Sequence, residues 1–398
     1  MNKTKILILT TVFIDVVGMG IIIPILPFYV ERFTSSAFLI TSLFAVYAMC
    51  SFFSAPVIGA ISDRVGRKAM LIASIFSTSI GWFVFAAAPN LFFLYLGRII
   101  DGLAAGNLPI AQAYLVDISK NDKERSQNLG LIGAVFGIAF ILGPLFGGLL
   151  GSISHSFPFW FVGTLALVNG ILGIFILPET HNDRGENKKI SINPFVPLGR
   201  AIKNKSLLPN YLAWFLFGLA ISSFQSVFTL YAQKTFGFGT AAVGWIFAGM
   251  GVVIAINQMF ALKHFWLKYF REPVLELSMI VIYGIGFLFM AVGNLPFLVI
   301  ALVLQTFGQS VLRVVMNSQI LSKTDPKMKG ETLGVTTSIN SLSMAIGPFV
   351  AGFLFGFSKY LPFVLSSILL FGAAAVLYKN RKALRISKLS EEPTISEI

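Results

Sequence analysis

Long apolar runs separated by short polar stretches fill the chain from one end to the other. A helix that crosses a bilayer needs about 20 apolar residues, because each residue rises only about 1.5 Å. The pattern therefore predicts an all-α integral membrane protein with twelve spans. They lie at residues 6–29, 38–58, 69–88, 91–118, 127–150, 157–177, 207–230, 241–262, 273–292, 296–321, 332–356 and 361–378.

Composition agrees with a membrane protein. Hydrophobic residues make up 56% of the chain, charged residues only 12%, and the mean hydropathy is +0.81, whereas soluble domains are about a quarter charged. The first run is too long for a cleavable signal peptide and is interrupted by Asp15. The single cysteine, Cys50, lies within the second span, so no intramolecular disulfide is expected.

The net charge of +13 reflects topology rather than nucleic-acid binding. Of the 30 Lys and Arg residues, nearly all lie in the termini and the even-numbered connections. The exceptions are Arg32, Lys234 and Lys359 on the opposite side and Arg98 and Arg313 within spans. The positive-inside rule then predicts that both termini and the long middle loop are cytoplasmic.

One long polar segment divides the spans into two groups of six. The predicted units are an N-terminal half at 1–177, a cytoplasmic middle loop at 178–206, a C-terminal half at 207–378 and a cytoplasmic tail at 379–398. The halves are related, because the sequence of 141–148 (ILGPLFGG) recurs in similar form at 345–352 (AIGPFVAG). Two six-helix repeats of this kind place a substrate site between them near the middle of the membrane.

The connection between spans two and three is short and basic, and reads GAISDRVGRK from Gly59 to Lys68. Glycines at both ends are expected to let the chain turn, and the charges to bond neighbouring helix ends. The pattern resembles the G-x-x-x-D-R-x-G-R-[KR] signature of major facilitator transporters, with matching residues Gly59, Asp63, Arg64, Gly66 and Arg67. Its counterpart in the second half, 263–271, lacks both glycines and the aspartate.

Further residues resemble the drug:proton antiporters of that superfamily, especially tetracycline exporters. The first span carries D-x-x-G-x-G-x-x-x-P-x-L-P from Asp15 to Pro27, and the fourth carries Gly97–Arg98. The resemblance implies that protons enter in exchange for amphipathic compounds that leave. A fifth-helix motif typical of antiporters matches Gly133, Gly137, Gly143, Pro144, Gly147 and Gly148.

The chain departs from tetracycline exporters in its second half. Those proteins carry a histidine in the eighth helix, where this chain reads VIAINQ at 253–258, and an aspartate early in the ninth, where only Glu276 is present. Proton handling in the C-terminal half is therefore expected to be absent or different, and the sequence does not identify tetracycline as the substrate.

Ionisable groups inside spans cost about 2.5–3.5 kcal/mol each on insertion scales, so each one points to a function. Arg98 and Asp101 are three residues apart and share a helix face, and Asp15 has no cation within a turn, so Arg98 is its expected partner. We predict that these three groups couple proton movement to transport. The alternatives are a static ion pair, and an aspartate bonded by backbone donors near Gly18 and Gly20.

The basic connection is expected to form a cytoplasmic gate. The resemblance implies that Asp117, at the end of span four, pairs with Arg67, and that Asp63 faces the N-terminus of span eleven, where a helix dipole favours an anion. Such contacts would hold the halves closed on the inside and break when the site opens there. Ordinary surface salt bridges are the alternative. Pro144 and its neighbouring glycines are expected to bend span five and seal the interior, with simple helix packing as the alternative.

Polar side chains on the spans predict a substrate cavity, with inter-helix hydrogen bonding as the alternative for each. Arg313 is the strongest candidate, because an unpaired cation would attract an anionic substrate or a carboxylate of the first half. The predicted cavity residues are Gln112, Gln225, Gln258, Gln305, Gln309, Arg313, Asn317 and Asn340.

No other chemistry is indicated. There is no Walker loop, so the expected energy source is the proton gradient and no cofactor is required. His155, His181 and His264 are scattered, which predicts no metal site, and no nucleophilic triad is present, so the chain is not expected to be an enzyme. We expect a monomer that binds amphipathic substrates, protons and membrane lipids in a bacterial inner membrane. A metabolite or siderophore exporter, a proton symporter and a lipid flippase remain as alternatives.

Overall fold

The computed structural model describes residues 3–180, 193, 195–325 and 328–391, with side chains as far as residue 381. A π-helical segment, Asn257–Trp266, joins α10 to α11. The α-helices are α1 Lys3–Val30, α2 Ala37–Val65, α3 Arg67–Ala86, α4 Leu91–Leu103, α5 Asn107–Asp117, α6 Asp122–Ile153, α7 Phe157–Ile176, α8 Phe195–Lys203, α9 Leu208–Phe236, α10 Thr240–Ile256, α11 Leu267–Tyr269, α12 Glu272–Val292, α13 Leu295–Ser322, α14 Lys329–Phe357 and α15 Leu361–Glu391.

All twelve predicted spans are confirmed within the described ranges. Two of them are composite: α4 and α5 together cross as Leu91–Asp117, and α10, the π-helical segment and α11 cross as Thr240–Tyr269. Several helices extend a turn or more beyond the apolar run, because polar residues continue them outside the hydrocarbon. The last shows this most clearly, since α15 continues to Glu391 through the predicted tail; residues 392–398 lie outside the described residues.

Two predictions about connections were wrong. The basic connection is not a loop, because α2 continues to Val65, α3 begins at Arg67, and only Gly66 interrupts them. Gly66 has φ +117°, a conformation that other residues rarely adopt, whereas Gly59 lies inside α2 and makes no turn. The middle loop also contains an unpredicted helix, α8. Its Phe195 ring packs on Phe52 and Phe53 of α2, and its Arg200 lies 2.9 Å from Glu331 of α14.

Helices α1–α7, here the N-half, and α9–α15, here the C-half, meet mainly along two pairs of helices. In one pair, Gly148 of α6 packs against Gly244 of α10 so closely that a Cβ on either would lie 2.8 Å or less from backbone of the other helix. In the other, Gly352 of α14 packs against the backbone of Ala37 and Phe38 of α2. The repeated Gly-Pro segments therefore form equivalent contacts between the halves.

Further contacts between the halves lie at one face of the protein. Where α2 and α10 begin, which we call the far face, a hydrogen bond from Gln233 to Glu31 (2.7 Å) and one from Thr229 to the carbonyl of Ile23 (2.9 Å) also join the two halves. The opposite face carries the Gly66 turn, and we call it the basic face. There a Cβ would meet no atom within 4 Å at Gly59, Gly130, Gly133, Gly137, Gly330 and Gly334. Among the described residues, hydrogen bonds join the two halves at the far face, whereas no described hydrogen bond or ion pair joins them directly at the basic face.

Candidate substrate and proton site

A cavity among α1 to α5 brings the three predicted proton-coupling residues together. Asp15 comes from α1, and Arg98 and Asp101 come from α4. Six further residues complete the lining. The whole lining is Asp15, Met19, Tyr47, Thr78, Trp82, Arg98, Asp101, Ala105 and Asn107.

Asp15 is half-buried, and its partner differs from the predicted one. The amide nitrogen of Asn107 donates a hydrogen bond of 2.9 Å to Asp15 Oδ1 and another of 3.2 Å to Thr78. Arg98 instead pairs with Asp101. A neutral donor stabilises a carboxylate less than a guanidinium does, so Asp15 lacks the charge compensation that would hold it permanently ionised.

Arg98 and Asp101 form a pair almost without solvent contact. Their exposures are 3% and 6%, and Arg98 Nη2 lies 3.1 Å from Asp101 Oδ2. The guanidinium also lies over aromatic rings, with its central carbon 4.2 Å from the Trp82 ring and 5.4 Å from the Tyr47 ring. Aromatic faces attract a desolvated cation, so the rings and Asp101 together stabilise the charge.

A break in the fourth span positions the cavity side chains. Helical hydrogen bonding is interrupted between Leu103 and Asn107, and freed carbonyls accept from neighbouring serines. Ser54 donates to the carbonyl of Gly102 (2.8 Å), and Ser74 donates to that of Ala104. Such replacement is needed for an irregular backbone within a membrane. The break starts α5 at Asn107, whose side chain then meets Asp15.

Several of these residues were missed from the sequence. Asn107 is a polar residue inside an apolar run, so the rule that identified Asp15 would have found it had it been applied to neutral side chains. Thr78 carries the same weak signal. Tyr47 and Trp82 carry none, because aromatic residues are common throughout the spans.

The C-half contributes a polar face on α13. Arg313 is exposed, and Gln309 and Asn317 lie one turn before and after it and are half-buried. Phe307 and Val314 are exposed on another side of the helix. Within the described residues, Arg313 has no acidic partner.

Other predicted cavity residues do not share this arrangement. Gln305 is fully buried and donates to the Met290 sulfur of α12, so its prediction as a cavity residue was wrong. Gln258 donates to the Ser310 carbonyl (3.2 Å) and thereby joins the eighth and tenth spans. Its neighbour Asn257, which was not predicted, is buried and bonds Ser310. Gln225 is half-buried, whereas Gln112 and Asn340 are exposed.

The predicted gate residues form a cluster at the basic face. Arg67 lies 2.5 Å from Asp63 and 3.2 Å from Asp117, as expected for Asp117. Asp63 has no described contact with the start of α14, and its carboxylate turns back to Arg67. Arg64 is exposed. Glu179, which was not predicted, accepts from the backbone N–H of Arg67 (2.8 Å), and so caps α3 with negative charge.

The glycines of the predicted motif on α6 fall into three groups. Gly143 and Gly147 face α1, where a Cβ would come within about 3 Å of backbone. Gly148 faces α10, as described above. Gly133 and Gly137 border open space, so close packing does not explain them in this conformation. The helix continues through Pro144 from Asp122 to Ile153.

Comparisons with known proteins found a matching family model, related sequences and similar folds. The family model described as Major Facilitator Superfamily matches residues 8–275 and 265–396. The chain is 27% identical to the tetracycline resistance protein, class C, of Escherichia coli, over 88% of this chain and 89% of that protein. It is 28% identical to multidrug resistance protein 1 of Bacillus subtilis (strain 168), over 93% and 94%. The crystal structure of the nucleoside transporter NupG superposes with a TM-score of 0.76 at 14% identity, covering 96% of this chain and 98% of that one.

Proposed function

The chain belongs to the major facilitator superfamily, and from this membership we propose that it is a proton-coupled antiporter that exports amphipathic small molecules. Members of this superfamily are membrane transporters rather than enzymes, and the relatives of this chain are tetracycline and multidrug resistance proteins. The twelve spans make it a multi-pass integral membrane protein. Proton exchange and outward transport are the parts of this function that we propose beyond membership of the superfamily.

The observation that carries the proposal is the environment of Asp15. Its carboxylate borders a cavity, is half-buried, and has an amide rather than a cation as its partner. A carboxylate removed from water, without a cation, takes up a proton readily and releases it when a positive group arrives. Asp15 can therefore hold either a proton or the basic group of a substrate, but not both.

Arg98 and Asp101, which line the same cavity as Asp15, support this exchange. Protonation of Asp101 would free the guanidinium, and ionisation would recapture it, so the pair changes the positive potential felt by Asp15. The rings of Trp82 and Tyr47 hold the guanidinium at the cavity in either case. We assign Asp15 as the proton carrier and the Arg98–Asp101 pair as the group that responds to it.

The gate completes the cycle. In this conformation no described hydrogen bond or ion pair joins the two halves directly at the basic face, and Asp63 is bonded within its own half. Closing that face would bring Asp63 to the first turn of α14, and opening the far face would separate Gly148 from Gly244. We place the basic face and both termini in the cytoplasm of a bacterium, in its inner membrane, because nearly all Lys and Arg residues lie on that side.

The test uses purified protein in liposomes that contain a pH-sensitive dye, with an imposed proton gradient. Cationic dyes, quinolones, tetracycline, sugars and a siderophore are added separately, and proton movement is followed with substrate movement. We expect amphipathic compounds to move against the proton flow, and Asp15→Asn to abolish the coupling. The control is Asp122→Asn, which alters an exposed acid at the start of α6.

Each other outcome contradicts the proposal in a defined way. Protons and substrate moving together would make the protein a symporter. Full coupling in Asp15→Asn would remove Asp15 as the carrier. Export of the siderophore alone would identify a metabolite exporter. Transfer of labelled lipid between leaflets, without dependence on the proton gradient, would favour a flippase.

A further inference from the structure

We propose that Thr78 and Asn107 form a hydrogen-bond relay through which Asp15 and Asp101 gain and lose their protons together. This inference rests on the proposed function, because it concerns the acid that we assign as the proton carrier. It deepens that function by making the unit of coupling a linked pair of acids. Thr78 and Asn107 are positioning residues, since each acts through the carboxyl groups beside it.

The four side chains form a continuous chain of hydrogen bonds in the wall of one cavity. The amide nitrogen of Asn107 donates to Asp15 Oδ1 (2.9 Å) and to the Thr78 hydroxyl (3.2 Å). The Thr78 side chain is in turn hydrogen-bonded to Asp101. Thr78 and Asn107 are 4% and 2% exposed. The two acids are thus joined through a hydroxyl and an amide that have almost no contact with solvent.

The direction of each hydrogen bond follows from the charge on Asp101. An ionised carboxylate only accepts, so the one hydrogen of the Thr78 hydroxyl is committed to Asp101. The Thr78 oxygen can then only accept from Asn107, which must present its nitrogen. That nitrogen carries two hydrogens, and the second goes to Asp15, where a donor stabilises the ionised carboxylate. An ionised Asp101 consequently favours an ionised Asp15.

The opposite arrangement is available because the side-chain oxygen of Asn107 is not in use. Among the described residues this buried atom, Oδ1, has no hydrogen-bond partner. A protonated Asp101 donates to the Thr78 oxygen, which turns the Thr78 hydrogen toward Asn107. The amide then rotates by half a turn and presents Oδ1 to Thr78 and to the protonated carboxyl of Asp15. Each acid takes its proton from solvent, and the hydroxyl and the amide only change orientation.

The relay opposes the electrostatic effect of one acid on the other. The negative charge of Asp101 repels that of Asp15, so repulsion alone makes the second proton bind more weakly than the first. The other ionisable groups of the cavity are Arg98 of α4, which pairs with Asp101, and Tyr47 of α2, which is neutral at physiological pH. Neither has a described hydrogen bond to Asn107. The steepness of the titration therefore distinguishes the relay from repulsion alone.

The experiment is a pH titration of the purified full chain, followed by the infrared absorption of protonated carboxyl groups. The relevant signal is the part that is lost in Asp15→Asn. The decisive variants are Thr78→Val, which removes the hydroxyl and keeps the branched shape, and Thr78→Ser, which keeps the hydroxyl. Ser77→Ala is the matched control, because it removes a neighbouring hydroxyl of α3 that donates to the carbonyl of Ile100 (3.3 Å). These three variants retain both acids, and thermal unfolding verifies that each is folded.

We expect the unaltered protein to titrate in one step that is steeper than the step of a single independent group. Thr78→Val should broaden this transition into two steps separated by about one pH unit or more, as for two interacting acids without a relay. Thr78→Ser and Ser77→Ala should both keep the steep step, because both retain the Thr78-position hydroxyl.

The outcomes that overturn this inference differ from those that overturn the proposed function. An equally steep titration in Thr78→Val would show that the hydroxyl does not link the acids. A broadened titration in Thr78→Ser would assign the effect to packing, and a broad titration of the unaltered protein would show that repulsion dominates. In each of these cases Asp15 can still carry a proton. If Asp15→Asn removes no signal, Asp15 does not titrate, and the inference fails together with the proposed proton carrier.

Discussion

The two halves of the protein carry charge clusters at equivalent positions of the basic face, and the third span of each half begins with a charge of opposite sign. In the N-half, the third span begins with a cation, Arg67, which meets the acids Asp63 and Asp117. In the C-half, the third span begins with the acids Glu272 and Glu276. Ser318 and Gln319 of α13 donate hydrogen bonds to Glu272, and Arg381 of α15 donates to Glu276. Nearby, Lys323 donates to the side-chain oxygen of Asn210.

The clusters also differ in burial. The Asp63 side chain is 49% exposed, whereas that of Glu276 is 1% exposed. Burial lowers the pKa of the Lys323 amine beside it, and the Glu276 carboxylate opposes that shift. An exposed cluster can exchange one partner for another at little cost, because water screens its charges. A buried cluster cannot, because separating its charges leaves one unpaired in a medium of low dielectric. The two clusters thus occupy equivalent positions of the internal repeat, and the N-half cluster is the one that fits the proposed gate.

The largest expected effect comes from breaking the buried cluster. Glu276→Gln should lower the free energy of unfolding by about 3 kcal/mol, because it leaves Arg381 without its anion. Thermal unfolding in detergent, followed by intrinsic fluorescence, measures this change. Glu272→Gln is the control and should cost about 1 kcal/mol, since it keeps a hydrogen-bonding group beside Ser318 and Gln319. Equal effects of the two variants would contradict the distinction between the fully buried Glu276 and the half-buried Glu272.

The turn of the N-half cluster gives the next effect. Gly66→Ala should lower the free energy of unfolding by about 2 kcal/mol, because alanine is strained at φ +117° and its Cβ would collide with the Glu179 carboxylate. The matched variant Gly59→Ala places the same methyl group inside a helix beside open space, and should be neutral or stabilising by up to about 1 kcal/mol. Thermal unfolding of both variants measures these changes in the free energy of unfolding. A stable Gly66→Ala protein would mean that the turn is not constrained as described.

The bridging cation of the N-half cluster should matter more for transport than for stability. Arg67 reaches Asp63 through one nitrogen and Asp117 through another. Arg67→Lys cannot reproduce this fork, so we expect most of the transport rate to be lost while the free energy of unfolding changes by less than about 1 kcal/mol. Initial rates in liposomes, set beside the thermal unfolding of the same preparation, measure both quantities. An unchanged transport rate would mean that the cluster is an ordinary surface salt bridge without a role in transport.

The smallest effect on stability is expected at Asp63. Asp63→Asn should change the free energy of unfolding by less than about 0.5 kcal/mol, since the carboxylate is half exposed. If Asp63 meets α14 when the basic face closes, its loss should favour the open state. A reporter cysteine is introduced by Gly137→Cys in a Cys50→Ser background, at a position that borders open space in this conformation. It should react faster with a soluble thiol reagent when Asp63→Asn is present than when Asp63 is retained. An unchanged rate would show that Asp63 does not contribute to closure.

The membrane spans were predictable because they depend on composition over about 20 residues, which the chain displays directly. The helix ends were less predictable, because α2 and α15 continue past their apolar runs into polar sequence. Asp15, Arg98 and Asp101 were found because charge inside an apolar run is rare. Asn107 and α8 were missed, since a neutral amide and a short amphipathic helix give weaker signals. The partner of Asp15 was assigned wrongly for a related reason, because the break after Leu103 is not visible in the sequence.

The sequence by itself determined the number of spans, their internal repeat and the presence of charges that need an explanation. These properties follow from the cost of placing polar groups in hydrocarbon, which applies to each residue separately. The tertiary structure decided which charges neutralise one another, where the halves bond each other and which glycines touch. Arg98 pairs with Asp101 while Asp15 bonds Asn107, and this depends on helix rotation and on a local break in hydrogen bonding. Such details are set by packing between helices that are far apart in the sequence. The order of side chains along the chain does not give the distances between those helices.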